Sequence, residues 1–252
     1  MNKARIVKKY AKGLLSLLLI ISVMVSMAVP FTVNAEEVVA ENSEIYAILY
    51  YLDTSKLSSD KMTINNSKNI ELVFQKGNTL DPLKTVVQKN GNTAIFSLVD
   101  NPTNYTGSSN NVPATPWFSF DSTSSNQNIV RVDFKDRIKP VNIDGWFRNC
   151  KNLKYENILH KENLDTSVCT SMTYVFSQCN QFSTFNFSEW TNLDFSNVTK
   201  MFQMFSYCTN LYNIDLTGVD PVNCSDCTSM FSGDTNLKSF KFGSFKAGNN
   251  VR

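Results

Sequence analysis

The sequence has a single histidine, His160, and it lacks a glycine-rich phosphate-binding motif and a concentrated basic stripe. One histidine gives no support to a Ser-His-Asp arrangement, and the missing glycine motif excludes a recognisable phosphate loop. The 24 basic and 22 acidic residues are spread along the chain, whereas nucleic-acid binding needs clustered positive charge. We therefore predict no nucleic-acid partner, no cofactor and no metal site.

Residues 1–35 predict a secretory signal peptide. Five basic side chains and no acidic one precede an apolar run from Leu14 to Val29, which is shorter than the roughly 20 residues of a membrane span. Pro30 ends the run, and Val33 and Ala35 are the small residues that a cleavage site needs. Cleavage after Ala35 would change the net charge from +2 to about −3. We expect a secreted or surface-exposed protein that meets the membrane only before cleavage.

A repeated unit occupies the second half of the chain. The segments LDTSVCTSM, LDFSNVTKM and VNCSDCTSM begin at equal steps along the chain, at Leu164, Leu193 and Val222. A second motif recurs at the same step, with copies that begin at Trp146, Val175, Met204 and Met230, but its last copy comes three residues early. These steps place a loss of three residues just before Met230. Self-similarity at this period predicts units that stack on one another.

Each unit is predicted to contain a short helix and a strand. The helix is indicated by the three- and four-residue spacing of Val198, Met201, Met204, Phe205 and Cys208. The strand is indicated by the alternation that ends at Ile214 and Leu216. We therefore predict an α/β repeat solenoid in which a parallel strand ladder is joined to short helices.

The consensus L-D-x-S-x-V-T-x-M-x-x-M-F-x-x-C-x-x-L-x-x-L-x-L closely resembles the BspA-like leucine-rich-repeat surface proteins of bacteria. The segments Ile129–Phe134, Ile138–Pro140 and Gly145–Phe147 are also similar to that family, and the resemblance covers about residues 129–245. It implies a leucine-rich-repeat-like right-handed solenoid, a place on the cell surface or outside the cell, and adhesion to host proteins and other cells.

We predict three segments: the signal peptide at 1–35, a small β-rich N-terminal cap or domain at 36–128, and the solenoid at 129–252 with an incomplete last repeat. Strands are predicted at Ile45–Tyr51 and Ile70–Gln75, and a hairpin is predicted about Asn90-Gly91. The segment 36–128 either caps the solenoid or forms a separate ligand-binding domain. Residues 250–252 resemble the start of another repeat, so either the chain is a fragment or another element covers its last unit.

The outward strand positions are the predicted binding residues, because the concave strand face is the usual binding surface of repeat proteins. Alternation gives three rows: Thr184, Asn213 and Ser239; Asn186, Asp215 and Lys241; Ser188, Thr217 and Gly243. These side chains are small and polar, so simple solvation is the alternative. Any affinity would be weak for each site and would depend on multivalency.

The cysteines are predicted to be mainly structural. Cys150, Cys179 and Cys208 recur at one repeat position, and Cys169 and Cys227 stand where another unit has Val198. Buried thiols that act as small apolar side chains explain this pattern, and a bridge between stacked units is the alternative. The lone pair Cys224 and Cys227 lacks the further ligands that a zinc site needs.

Asp165 and Asp194 also repeat with the unit, which predicts turns rather than catalysis because Asp side chains accept backbone N–H bonds in turns. The sequence thus predicts an adhesin-like protein-binding repeat protein without catalytic activity, whose partners are host or bacterial surface proteins. Carbohydrate binding is the alternative, and no motif supports an enzyme within residues 36–128.

Overall fold

The computed structural model describes residues 45–52, 70–80, 94–98, 115, 117 and 125–241. All of them belong to the second of the two units into which the chain divides, Asn42–Arg252. The predicted signal peptide, the Asn90-Gly91 turn, Gly243 and residues 250–252 lie outside the described residues.

The first sheet is mixed and has the strand order β3-β1-β2-β4-β5. Its strands are β1 (Ile45–Tyr51), β2 (Ile70–Lys76), β3 (Ile95–Ser97), β4 (Ile129–Phe134) and β5 (Ile158–Leu159). β1 pairs antiparallel with β2 and β3, and β4 pairs parallel with β2 and β5. The strands predicted at the positions of β1 and β2 are confirmed. The predicted boundary between residues 128 and 129 lies inside this sheet, because β2 pairs with β4. The division of the chain into segments remains a prediction.

The second sheet has three short parallel strands, β6 (Thr184–Asn186), β7 (Asn213–Asp215) and β8 (Ser239–Lys241). Their central residues point inward with period-two alternation. Phe185 and Ile214 are buried, whereas Phe240 in the last strand is 39% exposed.

The predicted fold class, an α/β solenoid of the leucine-rich-repeat type with short helices, is wrong. The described residues form a mostly β structure that contains a mixed sheet and no α-helix. Their helices are short 3-10 segments of three or four residues, at Ser125–Asn128, Tyr155–Asn157, Lys161–Asn163 and Phe187–Glu189.

Backbone conformation explains why the predicted helix does not form. An α-helix needs continuous negative φ and bonds from each N–H to the carbonyl four residues earlier. Here Gln203 and Tyr207 have φ of 51° and 60°, and equivalent positive values recur in the other units. The five residues of the predicted apolar helix face are buried as predicted, but turns place them there instead of a helix: Val198, Met201, Met204, Phe205 and Cys208.

Backbone donors in these turns alternate between two kinds of partner. The N–H groups of Trp146 and Arg148 close local turns on Ile143 and Gly145, at 3.2 and 3.1 Å. The N–H group between them bonds to the next unit, and Phe147 N lies 3.0 Å from Val175 O. This alternation satisfies the backbone of each unit partly through its neighbour.

Isolated parallel bridges define a row of equivalent residues that we call the bridge row: Asn142, Ser171, Lys200 and Asp226. The row divides the described part of the repeat region into repeat 1 (142–170), repeat 2 (171–199), repeat 3 (200–225) and repeat 4 (226–241). Repeats 1 and 2 are equal in length, and repeat 3 is three residues shorter.

The structure moves the three-residue loss from its predicted position. The Val219 N–H bonds to Leu216 O, and the Trp190 N–H makes the equivalent bond to Phe187 O in the preceding repeat. Trp190 and Val219 are therefore separated by the full length of repeats 1 and 2. The Cys224 N–H bonds to Pro221 O, and the Val198 N–H makes the equivalent bond to Phe195 O. The separation between Val198 and Cys224 is three residues shorter. The loss therefore lies between Val219 and Pro221, and the predicted position just before Met230 is wrong.

A column of aromatic rings runs through the core. Phe147, Phe176, Phe205 and Phe231 stack with successive centroid distances of 5.4, 5.3 and 5.7 Å. Phe74 of β2 stacks on Trp146 at 4.7 Å, which joins the first sheet to repeat 1. One buried core therefore continues from β1 to repeat 4.

Among the described residues, no helix has the length and apolar character needed to cross a membrane.

Candidate functional site

The structure places the first predicted row at the N-terminal ends of the three strands of the second sheet. Thr184 pairs with Asn213, and Asn213 pairs with Ser239. All three side chains are exposed. Parallel pairing keeps equivalent residues about 4.8 Å apart, so a ligand would meet three small polar groups in a line.

The second predicted row carries the charge of this surface. Asn186, Asp215 and Lys241 are in register, and Lys241 Nζ lies 2.9 Å from Asp215 Oδ2. Hydrogen bonding from Thr217 and from Lys241 lowers the pKa of Asp215 to about 2. The Asp215 carboxyl is therefore ionised at neutral pH and faces the Lys241 ammonium group at the end of the sheet.

Ser188 and Thr217 do not extend the sheet surface. Ser188 lies in the 3-10 helix after β6, and its N–H and hydroxyl donate to Asn186 Oδ1 at 3.0 and 2.8 Å. The Thr217 N–H likewise donates to Asp215 Oδ1 at 2.8 Å. Both residues help to close turns that orient the second row.

The same turn chemistry recurs at the predicted carboxylates. Asp165 Oδ1 accepts the Ser167 N–H at 3.0 Å, and Asp194 Oδ1 accepts the Ser196 N–H at 2.8 Å. The prediction that these aspartates form turns is confirmed.

A side-chain network supports Asn186 from the neighbouring unit. The Tyr155 hydroxyl lies 2.6 Å from Asn186 O and 3.0 Å from Glu189 Oε2, and it can donate to either oxygen. Lys161 Nζ lies 3.3 Å from Glu189 Oε2 and 4.7 Å from the centre of the Tyr155 ring. Burial, together with Glu189, raises the pKa of the Tyr155 phenol, so it stays protonated and keeps donating.

The sequence did not predict a second surface, which we call the groove above the bridge row because the four bridge-row residues form part of its lining. It has a volume of about 490 Å³ and crosses all four repeats, from Asn142 and Asp144 to Asp226. In repeat 3 the lining residues Lys200 and Phe202 flank the buried Met201. This period-two signal was present in the sequence, but the same residues also fit helical spacing.

Asp144 is the buried charged group of this groove. Its Oδ1 accepts the Ser171 hydroxyl and the Thr173 N–H, each at 2.6 Å, and its Oδ2 accepts from Asn142 Nδ2 at 3.2 Å. Burial raises the pKa of Asp144, although these hydrogen bonds and the charge of Lys200 oppose the change. The carboxyl is thus held rigidly in the wall of the groove.

The thiols predicted to be structural are buried and free at Cys150, Cys169, Cys179 and Cys208. Cys179 Sγ donates to Phe147 O at 3.2 Å, and Cys208 Sγ donates to Phe176 O at 3.1 Å. Burial raises the pKa of each of these thiols, which disfavours nucleophilic chemistry.

Cys227 differs from the prediction of a buried free thiol, because it forms a disulfide with Cys224. The three-residue loss before Pro221 places Cys224, and not Cys227 as predicted, at the repeat position of Val198. The bridge joins the end of repeat 3 to the start of repeat 4. Within the described residues, no group of three or more His, Cys, Asp or Glu side chains could hold a metal ion.

His160 is exposed and follows β5 directly, and it has a partner. Its Nδ1 lies 2.6 Å from Asp133 Oδ1, and hydrogen bonding to Asp133 raises the pKa of the imidazole. This contact links the loop before repeat 2 to β4.

Comparison with known families identifies the repeats. The family described as "Mycoplasma protein of unknown function, DUF285" matches residues 118–244, about half of the chain. The chain belongs to this family. The matched segment contains β4 and the described parts of all four repeats. No curated protein matches the chain, and no solved structure matches it either.

Proposed function

We propose that this chain is an exported, adhesin-like recognition protein that binds host or bacterial surface proteins through the second sheet. The observation that carries the proposal is the in-register pairing of exposed polar residues on β6, β7 and β8, with the Asp215–Lys241 ion pair at their end. The predicted signal peptide and the resemblance of the repeat to BspA-like surface proteins support the same function.

The surface is suited to recognition because it is held in place before a partner arrives. Asx turns fix Asn186 and Asp215, and Tyr155 supports the Asn186 backbone. Preorganised groups lose little conformational entropy on binding. The exposed area is small, so we expect weak single contacts that are strengthened when many copies act together.

We propose no catalytic role for the histidine and the free thiols of the described residues. The one histidine of the chain is exposed and paired with Asp133, and the free thiols are buried with raised pKa values. The exposure of the imidazole and the burial of the thiols support roles in local structure and packing for these groups.

A binding screen with a charge-swapped variant tests the proposal. The purified protein is assayed by biolayer interferometry against immobilised extracellular-matrix and bacterial surface proteins. Asp215→Lys combined with Lys241→Asp reverses the direction of the ion pair. Because the swap also removes the acceptor for the Thr217 N–H, thermal unfolding of the variant checks that it is folded. We expect binding to fall at least about tenfold, a loss of about 1.4 kcal/mol.

The matched control is Lys139→Asp combined with Asp220→Lys. Both residues are exposed and lie outside the second sheet, and the net charge change is the same. Binding that both variants retain would remove the second sheet as the site. Failure of the unmodified protein to bind any protein of the panel would overturn the proposed function.

A further inference from the structure

The groove above the bridge row is a separate surface from the second sheet, and its lining is chemically mixed. The bridge row supplies an amide, a hydroxyl, an ammonium and a carboxylate from Asn142, Ser171, Lys200 and Asp226. The residues two positions further along add Asp144, which is buried, and Thr173 and Phe202. The groove therefore presents hydrogen-bond donors and acceptors at spacings fixed by backbone pairing.

Two aromatic rings form an apolar platform beside these polar groups. Tyr174 and Phe202 meet edge to face, with centroids 5.3 Å apart, and both line the groove. The guanidinium of Arg148 lies 5.4 Å from the centre of the Tyr174 ring. A ring face carries partial negative charge and attracts the slightly positive C–H groups of a ligand.

The charge of the lining narrows the class of ligand. Two carboxyls, Asp144 and Asp226, face one ammonium, Lys200, so the groove does not have the positive excess that an anionic polymer needs. The predominance of polar groups also argues against a purely apolar ligand, whose site would be mainly hydrophobic.

The two carboxyl groups of the groove, those of Asp144 and Asp226, are held by hydrogen bonds. Asp144 is buried and holds three hydrogen bonds, from Ser171, Thr173 and Asn142. Asp226 Oδ1 accepts the Thr228 N–H at 3.1 Å. Lys200 is exposed, and it forms none of the ion pairs found among the described residues.

We propose that this groove binds a neutral oligosaccharide, with hydroxyl groups of successive sugar units bonded to Asp226, Lys200 and Asn142 and a C–H face packed on Phe202 and Tyr174. A sugar ring combines both features in one rigid unit, because its hydroxyls donate and accept while its axial C–H groups make an apolar patch. The site is distinct from the protein-binding surface proposed for the second sheet, so the chain has two recognition surfaces.

The test begins with the purified protein on an array of neutral, sialylated and sulfated oligosaccharides. The neutral oligosaccharide that gives the strongest signal is then titrated by calorimetry. Phe202→Ala removes the platform, and we expect it to weaken binding at least about tenfold. Asp226→Asn keeps the acceptor for the Thr228 N–H but removes the charge, and we expect a smaller loss.

Each variant has a matched control. Tyr212 is an exposed aromatic residue next to β7, outside the groove, and Tyr212→Ala should leave the saccharide affinity within about twofold. Asp220→Asn is the control for Asp226→Asn. Thermal unfolding of each variant establishes that the protein is folded, and Phe202→Leu is used if Phe202→Ala unfolds.

The outcomes separate this proposal from the function proposed for the second sheet. Saccharide binding that Phe202→Ala loses and the Asp215/Lys241 swap keeps would support the groove. Saccharide binding lost by the swap alone would overturn it, as would binding restricted to charged oligosaccharides or no saccharide binding at millimolar concentration. Protein binding that fails while saccharide binding persists would refute the proposed function and leave the groove intact.

Discussion

The rings of Phe147 and Phe176 come from equivalent positions in successive repeats, and they stack with their centroids 5.4 Å apart and their planes at 18°. The same contact is repeated between Phe176 and Phe205 at 5.3 Å. Phe176 is therefore packed on both faces by its own sequence equivalents. Stability in this part of the chain depends on contacts between repeats as much as on contacts within one.

Phe176→Ala should destabilise the protein strongly. The side chain is 4% exposed, and truncation leaves a cavity between two rings that cannot close without moving both repeats. We expect a loss of about 3–5 kcal/mol in the free energy of unfolding, measured with urea. Val222→Ala, at a residue that is 64% exposed, should change it by less than about 0.5 kcal/mol. A loss below about 1 kcal/mol in Phe176→Ala would contradict the packing of Phe176 between two other rings.

Asp234 should make stability fall as the pH rises from about 4 to 7. It stands at the repeat position of Cys208, and Asp234 Oδ1 accepts the Cys208 N–H at 2.7 Å. Desolvation raises the pKa of Asp234 to about 7 from its ordinary value of 3.8. Between these values the folded chain holds a proton that the unfolded chain has released, so rising pH favours unfolding.

Asp234→Asn keeps the acceptor for Cys208 and removes the titration. We expect the variant to be more stable than the parent at pH 8 by roughly 1 kcal/mol, since the carboxyl is only partly buried and keeps some hydration. Urea unfolding at pH 4, 6 and 8 measures the effect, with Asp220→Asn as the exposed control. An unchanged pH slope in Asp234→Asn would show that Asp234 is not the group responsible.

The six cysteines should divide into four protected thiols and one disulfide. Iodoacetamide should label none quickly in the folded protein, because the thiols are buried and burial raises the pKa of Cys169 to about 12. Mass spectrometry should find four labels after denaturation without reductant and six with reductant. The Cys224→Ser, Cys227→Ser double variant should give four in both cases. Six labels without reductant in the parent would disprove the bridge.

The imidazole of His160 gives a direct readout of its contact with Asp133. His160 is the only histidine, so its NMR signal is unambiguous, and hydrogen bonding to Asp133 raises its pKa above 6.5. Asp133→Asn should lower the measured pKa toward 6.5, and Glu162→Gln should lower it less. The stabilisation from this contact is present below the unfolded pKa and is lost as pH rises through the folded pKa. An identical pKa in parent and Asp133→Asn would refute the pairing.

Predictions that rest on burial agree with the structure better than those that rest on backbone conformation. Val198, Met201 and Phe205 are buried as their spacing indicated, but they belong to turns and not to a helix. The spacing of apolar residues reports which side chains face the core, and a turn with positive φ at Gln203 and Tyr207 meets that requirement as well as a helix does.

The candidate surfaces show the same division. The rows of Thr184 and Asn186 follow from strand alternation, and they are in register. Ser188 departs from its row because Asn186 draws its N–H and hydroxyl into a turn. The groove above the bridge row escaped sequence reasoning because it joins residues one whole repeat apart, such as Ser171 and Lys200, whose pairing depends on register between repeats.

The sequence alone determined the repeat, the identity of its inward residues and the strands at β1 and β2, because these depend on periodicity and local alternation. The tertiary structure decided the turn conformation, the mixed first sheet, the site of the three-residue loss between Val219 and Pro221 and the Cys224–Cys227 bridge. Each of the latter depends on which neighbour satisfies a backbone or side-chain group. A long-range hydrogen bond such as Phe147 N to Val175 O competes with a local helical bond, and local spacing does not reveal which partner is chosen.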